Sequence, residues 1–388
     1  MAEWREVSFG DLGTIYDGPH ATPVRRETGP YFLNISSLKD GRLDLAESDH
    51  VAEEDFDRWT RRVVPQGGDL LFSYETRLGD AALMPEGVRA CLGRRMALMR
   101  PNREVVDPRF LLYCYLSPAF KRLIEQNTVH GATVNRIALS TMGAWSLQIP
   151  ALPNQRAIAE VLGALDDKIA SNTRLATTAD ALARALLALA EPNVSVSEIA
   201  TQSRLTVNPK GMTALRVAHF SLPAFDVGTG PEIVDPKTIK SNKFMVSEPA
   251  VLVSKLNPRF PRVWNLPRLP DEPALASTEF VVLVPTACST TVLWALTSQP
   301  RFGAALEGMV AGTSGSHQRV KPAEMLATLV PDPRRLEPSW LAQVDALGAR
   351  SLAAQAENVT LAATRDTLLP QLMSGKLSMR EAAEMAGL

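Results

Sequence analysis

The chain has 388 residues, 45% hydrophobic and 21% charged, which is too long for one ordinary domain and apolar enough to pack two or three. Three widely separated cysteines, Cys91, Cys114 and Cys288, argue against a disulfide framework, and no run of about 18 apolar residues suggests a transmembrane helix. A net charge of −1 argues against a free-standing, non-specific DNA binder.

The first residues lack the apolar core of a signal peptide, so a reducing cytoplasm is expected. Short β-like runs at residues 31–35, 69–73 and 97–99 are broken by turn formers. Residues 108–126 have helical spacing; Pro108 suits a helix start and Pro118 predicts a division into two helices. A small polar turn follows at 131–136, G-A-T-V-N-R.

From 155 to 190 the chain has no proline, and Gly163 is its only glycine. Ile158, Leu162, Leu165, Ile169, Asn172, Ala176, Ala179, Ala183 and Leu186 recur in steps of four and three, the seam of a heptad repeat. The helix stops at the Glu191-Pro192-Asn193 break. Strand-like runs return at 251–254 and 280–284, and a polar loop at 312–319 reads G-T-S-G-S-H-Q-R. A second long helix is predicted over 340–373, with Asn358 and Leu361 on its face and Pro370 expected to kink or end it. Asn172 and Asn358 either fix the register of a helix pair or face solvent.

These elements form a duplication. Leu70-Leu71-Phe72-Ser73 matches Val251-Leu252-Val253-Ser254 at an offset of 181, and Arg136-Ile137 matches Arg319-Val320 at 183. Asn172 and Leu175 match Asn358 and Leu361 at 186. The offsets drift by a few residues, in order, along more than a hundred positions. The predicted fold class is therefore α+β: two mixed domains in a pseudo-twofold arrangement, joined by two long antiparallel coiled-coil-like helices. The expected division is 1–150, first domain; 151–193, first helical spacer; 194–335, second domain; and 336–388, second helical region.

Residues 1–150 carry 18 basic and 20 acidic side chains, residues 195–335 carry 15 and 11. Thr, Ser, Asn, Gln, His and Arg are the side chains that bond phosphates and base edges, and the two polar loops concentrate them at matching positions. The candidate DNA contacts are Thr133, Asn135 and Arg136 in one loop and Ser316, His317, Gln318 and Arg319 in the other. Arg94 and Arg95, and Arg77 and Lys255 after matching strands, are added, with Asn257 and Arg259. Polar turns and paired arginines also occur as plain solvated surface.

Signs of catalysis are missing. Asn257-Pro258-Arg259-Phe260 resembles the N-P-P-Y/F motif of amino-methyltransferases but lacks its second proline, and no glycine-rich cofactor loop precedes it. There is no phosphate-binding loop, no zinc-protease motif and no metal-spaced Cys/His cluster.

Two stretches carry a family resemblance. Residues 149–169 read I-P-A-L-P-N-Q-R-A-I-A-E-V-L-G-A-L-D-D-K-I, and residues 368–377 read L-L-P-Q-L-M-S-G-K-L. The chain resembles the specificity subunits of Type I restriction-modification systems, called HsdS, in which similar runs open the first long helix and close the second. The opening of the second helix, residues 336–344, departs from the P-x-x-Q-x-x-I-A form. The resemblance implies two target recognition domains, each reading half of a split site on double-stranded DNA. It implies helices that dock two methyltransferase subunits, with restriction and translocase subunits able to join in phage defence. Its further implications are no catalysis and no cofactor in this chain, S-adenosylmethionine being held by the partner, and no membrane. Two readings from other classes remain open: a two-headed helical scaffold for protein partners, and an enzyme in its own right.

Overall fold

The structure, a computed structural model, describes every residue except 1–3, 47, 132–133, 229, 311–317 and 388. The chain divides into two compact units, one of Met1–Ile169 with Thr360–Leu388 and the other of Ala170–Val359.

In the first unit a four-stranded antiparallel sheet runs in the order Gly13–Asp17, Met96–Pro101, Leu70–Ser73, Ala81–Leu83. In the second the order is Ala200–Ser203, Phe280–Pro285, Ala250–Ser254, Val263–Leu266, also antiparallel. These strands occupy matching places in the repeat. Successive side chains on a strand point to opposite faces. Leu70, Phe72, Ala97 and Met99 enter a core shared with helices, while Leu71, Met96 and Leu98 enter another beneath a second sheet. Unit two repeats this, with Val251, Val253, Val281 and Leu283 on one face and Leu252, Phe280 and Val282 on the other. Strands covered on both faces read as continuous apolar runs.

The second sheet of each unit contains a parallel pair: Arg26–Leu33 with Ala90–Leu92, and Val217–Phe220 with Ala274–Ala276. The strand expected at residues 31–35 stops at Leu33. The Asn34 side chain accepts from Ser36 N at 2.8 Å and turns the chain into a short 3-10 helix at Ile35–Ser37. Pro118 does divide the helical stretch, into Pro108–Leu116 and Pro118–Gln126, capped by Asp107 and Ser117. The second unit has Thr290–Thr297 and Pro300–Gly308 in their place.

The two long helices span Leu152–Leu187 and Pro338–Met373, 36 residues each. The first starts and stops three residues before the expected bounds, because residues 188–190 tighten into turns ahead of Pro192. Pro370 does not end the second helix, which runs on to Met373 and closes at Gly375 in the left-handed conformation, φ 67°. A Cβ on Gly375 would lie 2.6 Å from the Trp4 indole nitrogen, so the glycine is needed for space as well as for φ.

Each unit holds part of each helix. In unit two Asn172 is buried and donates to Glu357 at 2.7 Å, while Asp180 bonds to Ser351, so the helices run antiparallel there. Asn358, half-buried, donates to Thr173 at 3.1 Å. In unit one Ile158, Leu162 and Leu165 are buried in the helix-side core, with Leu368 and Leu372, and Leu361 packs at its edge. Ile169 is half-buried.

Polar groups seat the first helix. Gln155 is fully buried: its Nε2 donates to Val105 O at 3.1 Å and Pro150 O at 2.9 Å, and its Oε1 accepts from Asp107 N at 3.0 Å. Asp166 accepts from the Tyr113 hydroxyl at 2.6 Å and from Arg365 at 2.9 Å. Burial, then the Asp166 charge, pushes the Tyr113 phenol far up, so it remains a donor. Arg109 lies across the helix, reaching Gly163 O at 3.2 Å and Asp167 at 2.6 Å. A Cβ on Gly163 would meet that guanidinium at 2.5 Å, and in the second helix a Cβ on Gly348 would meet Thr291 Cγ2 at 2.3 Å. Both glycines let a short helix of the globular fold approach the long helix closely.

Asp166→Ala should cost about 2–3 kcal/mol, since it strands a buried hydroxyl and a guanidinium; an unchanged denaturation midpoint would show the network to be idle. Gly348→Ala should destabilise by about 1–3 kcal/mol through overpacking against buried Thr291, despite better helix propensity. Gly303→Ala, where a Cβ meets nothing within 4 Å, should instead gain up to about 1 kcal/mol. Equal effects in a thermal melt would refute the close-approach argument.

Candidate nucleic-acid interface

In each unit the central strand of the four-stranded sheet ends in a serine that folds the chain over. Ser73 Oγ donates to Glu75 O at 2.6 Å, and Ser254 Oγ to Leu256 O at 3.1 Å. Three residues after each serine the backbone is left-handed at a residue other than glycine: Thr76, φ 70°, and Asn257, φ 52°. Such a conformation costs energy and persists only when neighbours hold it.

What holds it is the polar loop. In unit one Ile137 N donates to Tyr74 O at 2.8 Å and Thr76 N to Asn135 O at 3.3 Å, with Glu75 and Arg136 bridged antiparallel between them. In unit two Val320 N donates to Lys255 O at 2.9 Å and Asn257 N to Gln318 O at 2.9 Å, with Leu256 bridged to Arg319. A third strap comes from the next strand: Tyr74 N donates to Arg95 O at 3.2 Å, and Lys255 N to Glu279 O at 2.9 Å. The same backbone clip is thus built twice from different side chains. It brings Arg95, Asn135 and Arg136 together in one unit, and Lys255, Asn257, Gln318 and Arg319 in the other.

The charges at the two clips differ. Arg95 pairs with Glu75 at 3.1 Å and touches Thr76 Oγ1 at 3.3 Å. Arg136 and Arg94 are exposed and, among the described residues, have no ion pair. Arg77 is committed inward, to Asp80 at 2.6 Å and to the carbonyls of Ile35 and Leu38 at 3.2 Å. Burial raises the Asp80 carboxyl, and the charge of Arg77 opposes that shift. In unit two Arg319 is held by Glu279 through two bonds of 3.0 Å, which raise its guanidinium further, and Arg259 meets Glu307 at 3.3 Å. Lys255 is half-buried without an ion pair among the described residues. Thr133, Ser316 and His317 lie outside the described residues. Asn135 Oδ1 lies 3.3 Å from His130 Nδ1.

Sequence reasoning missed Glu75 and Glu279, the acidic partners of the clips; no spacing rule pairs residues 20 or 40 apart. A groove of about 930 Å³ in unit one, rimmed by Asn135 and His130, is lined by Asp40, Asp80, Glu125, Asp166 and Asp366 against Lys121 and Arg365. Its acidic lining suits phosphate poorly. A stripe of apolar exposure is a second omission: Leu175 and Leu182, 39% and 51% exposed, stand seven residues apart on the first long helix in unit two. Among the described residues no helix is long and apolar enough to cross a membrane.

Residues 1–179 match the family model described as the Type I restriction modification DNA specificity domain. Over 193 residues the chain is 24% identical to the Type I restriction enzyme HindI specificity subunit of Haemophilus influenzae, covering 48% of this chain and 40% of that one. Over 181 residues it is 27% identical to the putative type I restriction enzyme MjaX specificity subunit of Methanocaldococcus jannaschii, covering 43% and 40%. The matched stretch therefore spans well under half the length of either relative. The crystal structure of the Type-I restriction-modification system S subunit from M. genitalium has a similar fold, with a TM-score of 0.59 over 96% of both chains at 14% identity. Residues 1–179 are thus similar to the specificity domain of Type I restriction-modification specificity subunits, and the chain shares the fold of one such subunit.

Proposed function

We propose that this chain is the DNA-reading subunit of a Type I restriction-modification complex and carries no catalysis of its own. The observation that carries the reading is the clip: one backbone scaffold, built in both units, presenting different polar and basic side chains. Conserved scaffolding with variable side chains is what reading two unlike half-sites requires. Unit one contacts one half of a split duplex site through Asn135 and Arg136, supported by Arg94, Arg95 and Thr133. Unit two reads the other with Asn257, Gln318 and Arg319, supported by Lys255, Arg259, Ser316 and His317. Arg77 steadies its turn from within.

A net charge of −1 calls for partners that add phosphate attraction. Two methyltransferase subunits would dock on the long helices, where the Leu175–Leu182 stripe offers apolar surface. They would hold S-adenosylmethionine and flip the target adenine; restriction and translocase subunits would join them. Three unpaired cysteines fit work in the cytoplasm. The ion pairs that occupy Arg95, Arg259 and Arg319 favour a second reading, a scaffold for protein partners without DNA readout.

Co-expression with a partner methyltransferase, followed by long-read mapping of methylated adenines, separates the two. Methylation at one split motif supports DNA reading; a stable complex without sequence-dependent DNA retention in a gel shift supports the scaffold. Arg136→Ala and Arg319→Ala should each weaken DNA binding by the complex by about 1–3 kcal/mol; unchanged affinity in both would remove the loops from the interface. Deleting one turn, about four residues, from each long helix removes about 5 Å and should shorten the tolerated gap by one to two base pairs. A gap preference that stays put would show that helix length is not the ruler.

A further inference from the structure

We infer that Glu279 is a positioning residue that presents Arg319 to a guanine, so that unit two reads a base where the equivalent arginine of unit one, Arg136, holds a phosphate. The inference rests on the DNA-reading role proposed above.

Arg319 gives its Nε to Glu279 Oε2 and its Nη2 to Oε1, both at 3.0 Å. Two bonds from one edge of a planar guanidinium fix the plane as well as the position. Of the five N–H donors three remain, including the pair on Nη1 and the outer one on Nη2. That free end is a two-pronged donor, the shape that meets O6 and N7 of guanine in the major groove. Both partners are rooted in the clip: Glu279 O accepts from Lys255 N at 2.9 Å, and Arg319 is bridged to Leu256. Ser277 Oγ further accepts from Glu279 N at 3.3 Å.

Unit one is built differently at the same place. At the repeat offset of 184, the position of Glu279 is occupied by Arg95. Arg95 points its charge at Glu75, at 3.1 Å. Arg136 keeps the backbone bridge of Arg319 but, among the described residues, has no carboxylate to orient it. An exposed arginine with free rotamers meets a phosphate well and a base edge poorly.

Energetics favour an orienting role over a structural one. Arg319 and Glu279 are partly exposed, 46% and 27%, and such ion pairs add little to stability. A carboxylate beside a cation also weakens any purely electrostatic hold on a phosphate. Its presence is costly for phosphate binding and useful for directional readout.

The test uses the full chain assembled with its methyltransferase partner and duplexes carrying the methylated motif, with each base pair substituted in turn. Glu279→Gln and Arg319→Lys should each lower discrimination at one G·C pair of one half-site by about tenfold or more. The salt dependence of binding should hold steady for Arg319→Lys, which keeps the charge. Arg136→Lys should leave every base preference intact. Unaltered preferences in Glu279→Gln and Arg319→Lys would overturn the inference while the methylated motif still upheld DNA reading. A uniform loss of affinity over all duplexes would also overturn it, by making Arg319 a phosphate contact. A wild-type complex with no sequence preference would sink the DNA-reading role and this inference together.

Discussion

The globular fold of unit one is attached to its long helices by paired polar groups that are buried or nearly so. Gln155 satisfies three hydrogen bonds in a buried place, and Asp166 collects a phenol and a guanidinium from different elements. A buried polar group left unpaired is expensive, so these bonds tolerate one seating and penalise others. The apolar seam alone would allow the helix to slide or rotate by a residue at modest cost. The run Pro153-Asn154-Gln155 and the Leu165-Asp166 pair are therefore legible as physics: the glutamine ties the helix start to the chain before Pro108, and the aspartate ties its fifth turn to Tyr113.

The clips apply the same logic to the surface. A β-branched residue such as Thr76 does not adopt positive φ without help, Asn257 does so more readily, and both are held by backbone bonds to the polar loop. Because these bonds involve N–H and C=O groups, they place few demands on side chains. The side chains at the clip are thus free to differ between units, and they do: Glu75 and Arg95 in one, Glu279 and Arg319 in the other. Rigid backbone with interchangeable side chains separates the problem of folding from the choice of polar groups that the surface presents.

Gly163 and Gly348 show how a substitution rule can invert with context. On an isolated helix either glycine is a defect. Here a Cβ would collide with Arg109 in one unit and with Thr291 in the other. The second unit's collision is with a buried side chain that has little room to move, which makes it the stricter constraint.

Much of the architecture was legible in the amino-acid sequence alone. Apolar periodicity and the offset matches gave the duplication, the strand cores and both long helices, since each depends on residues near one another in the chain. The division at Pro118 followed from the missing N–H of proline. What depended on distant partners was not legible. Strand 26–33 ends early because Asn34 bonds its own backbone, and Pro370 sits inside a helix whose last turn is held by Leu368 and Leu372 in the core. Arg77 looked like a surface cation and is bonded to carbonyls about 40 residues away. Glu75 and Glu279 carried no motif at all. Local pattern determined which elements form; only tertiary folding decided which charges meet, because ion pairs and backbone straps are made between segments whose separation in sequence carries no period.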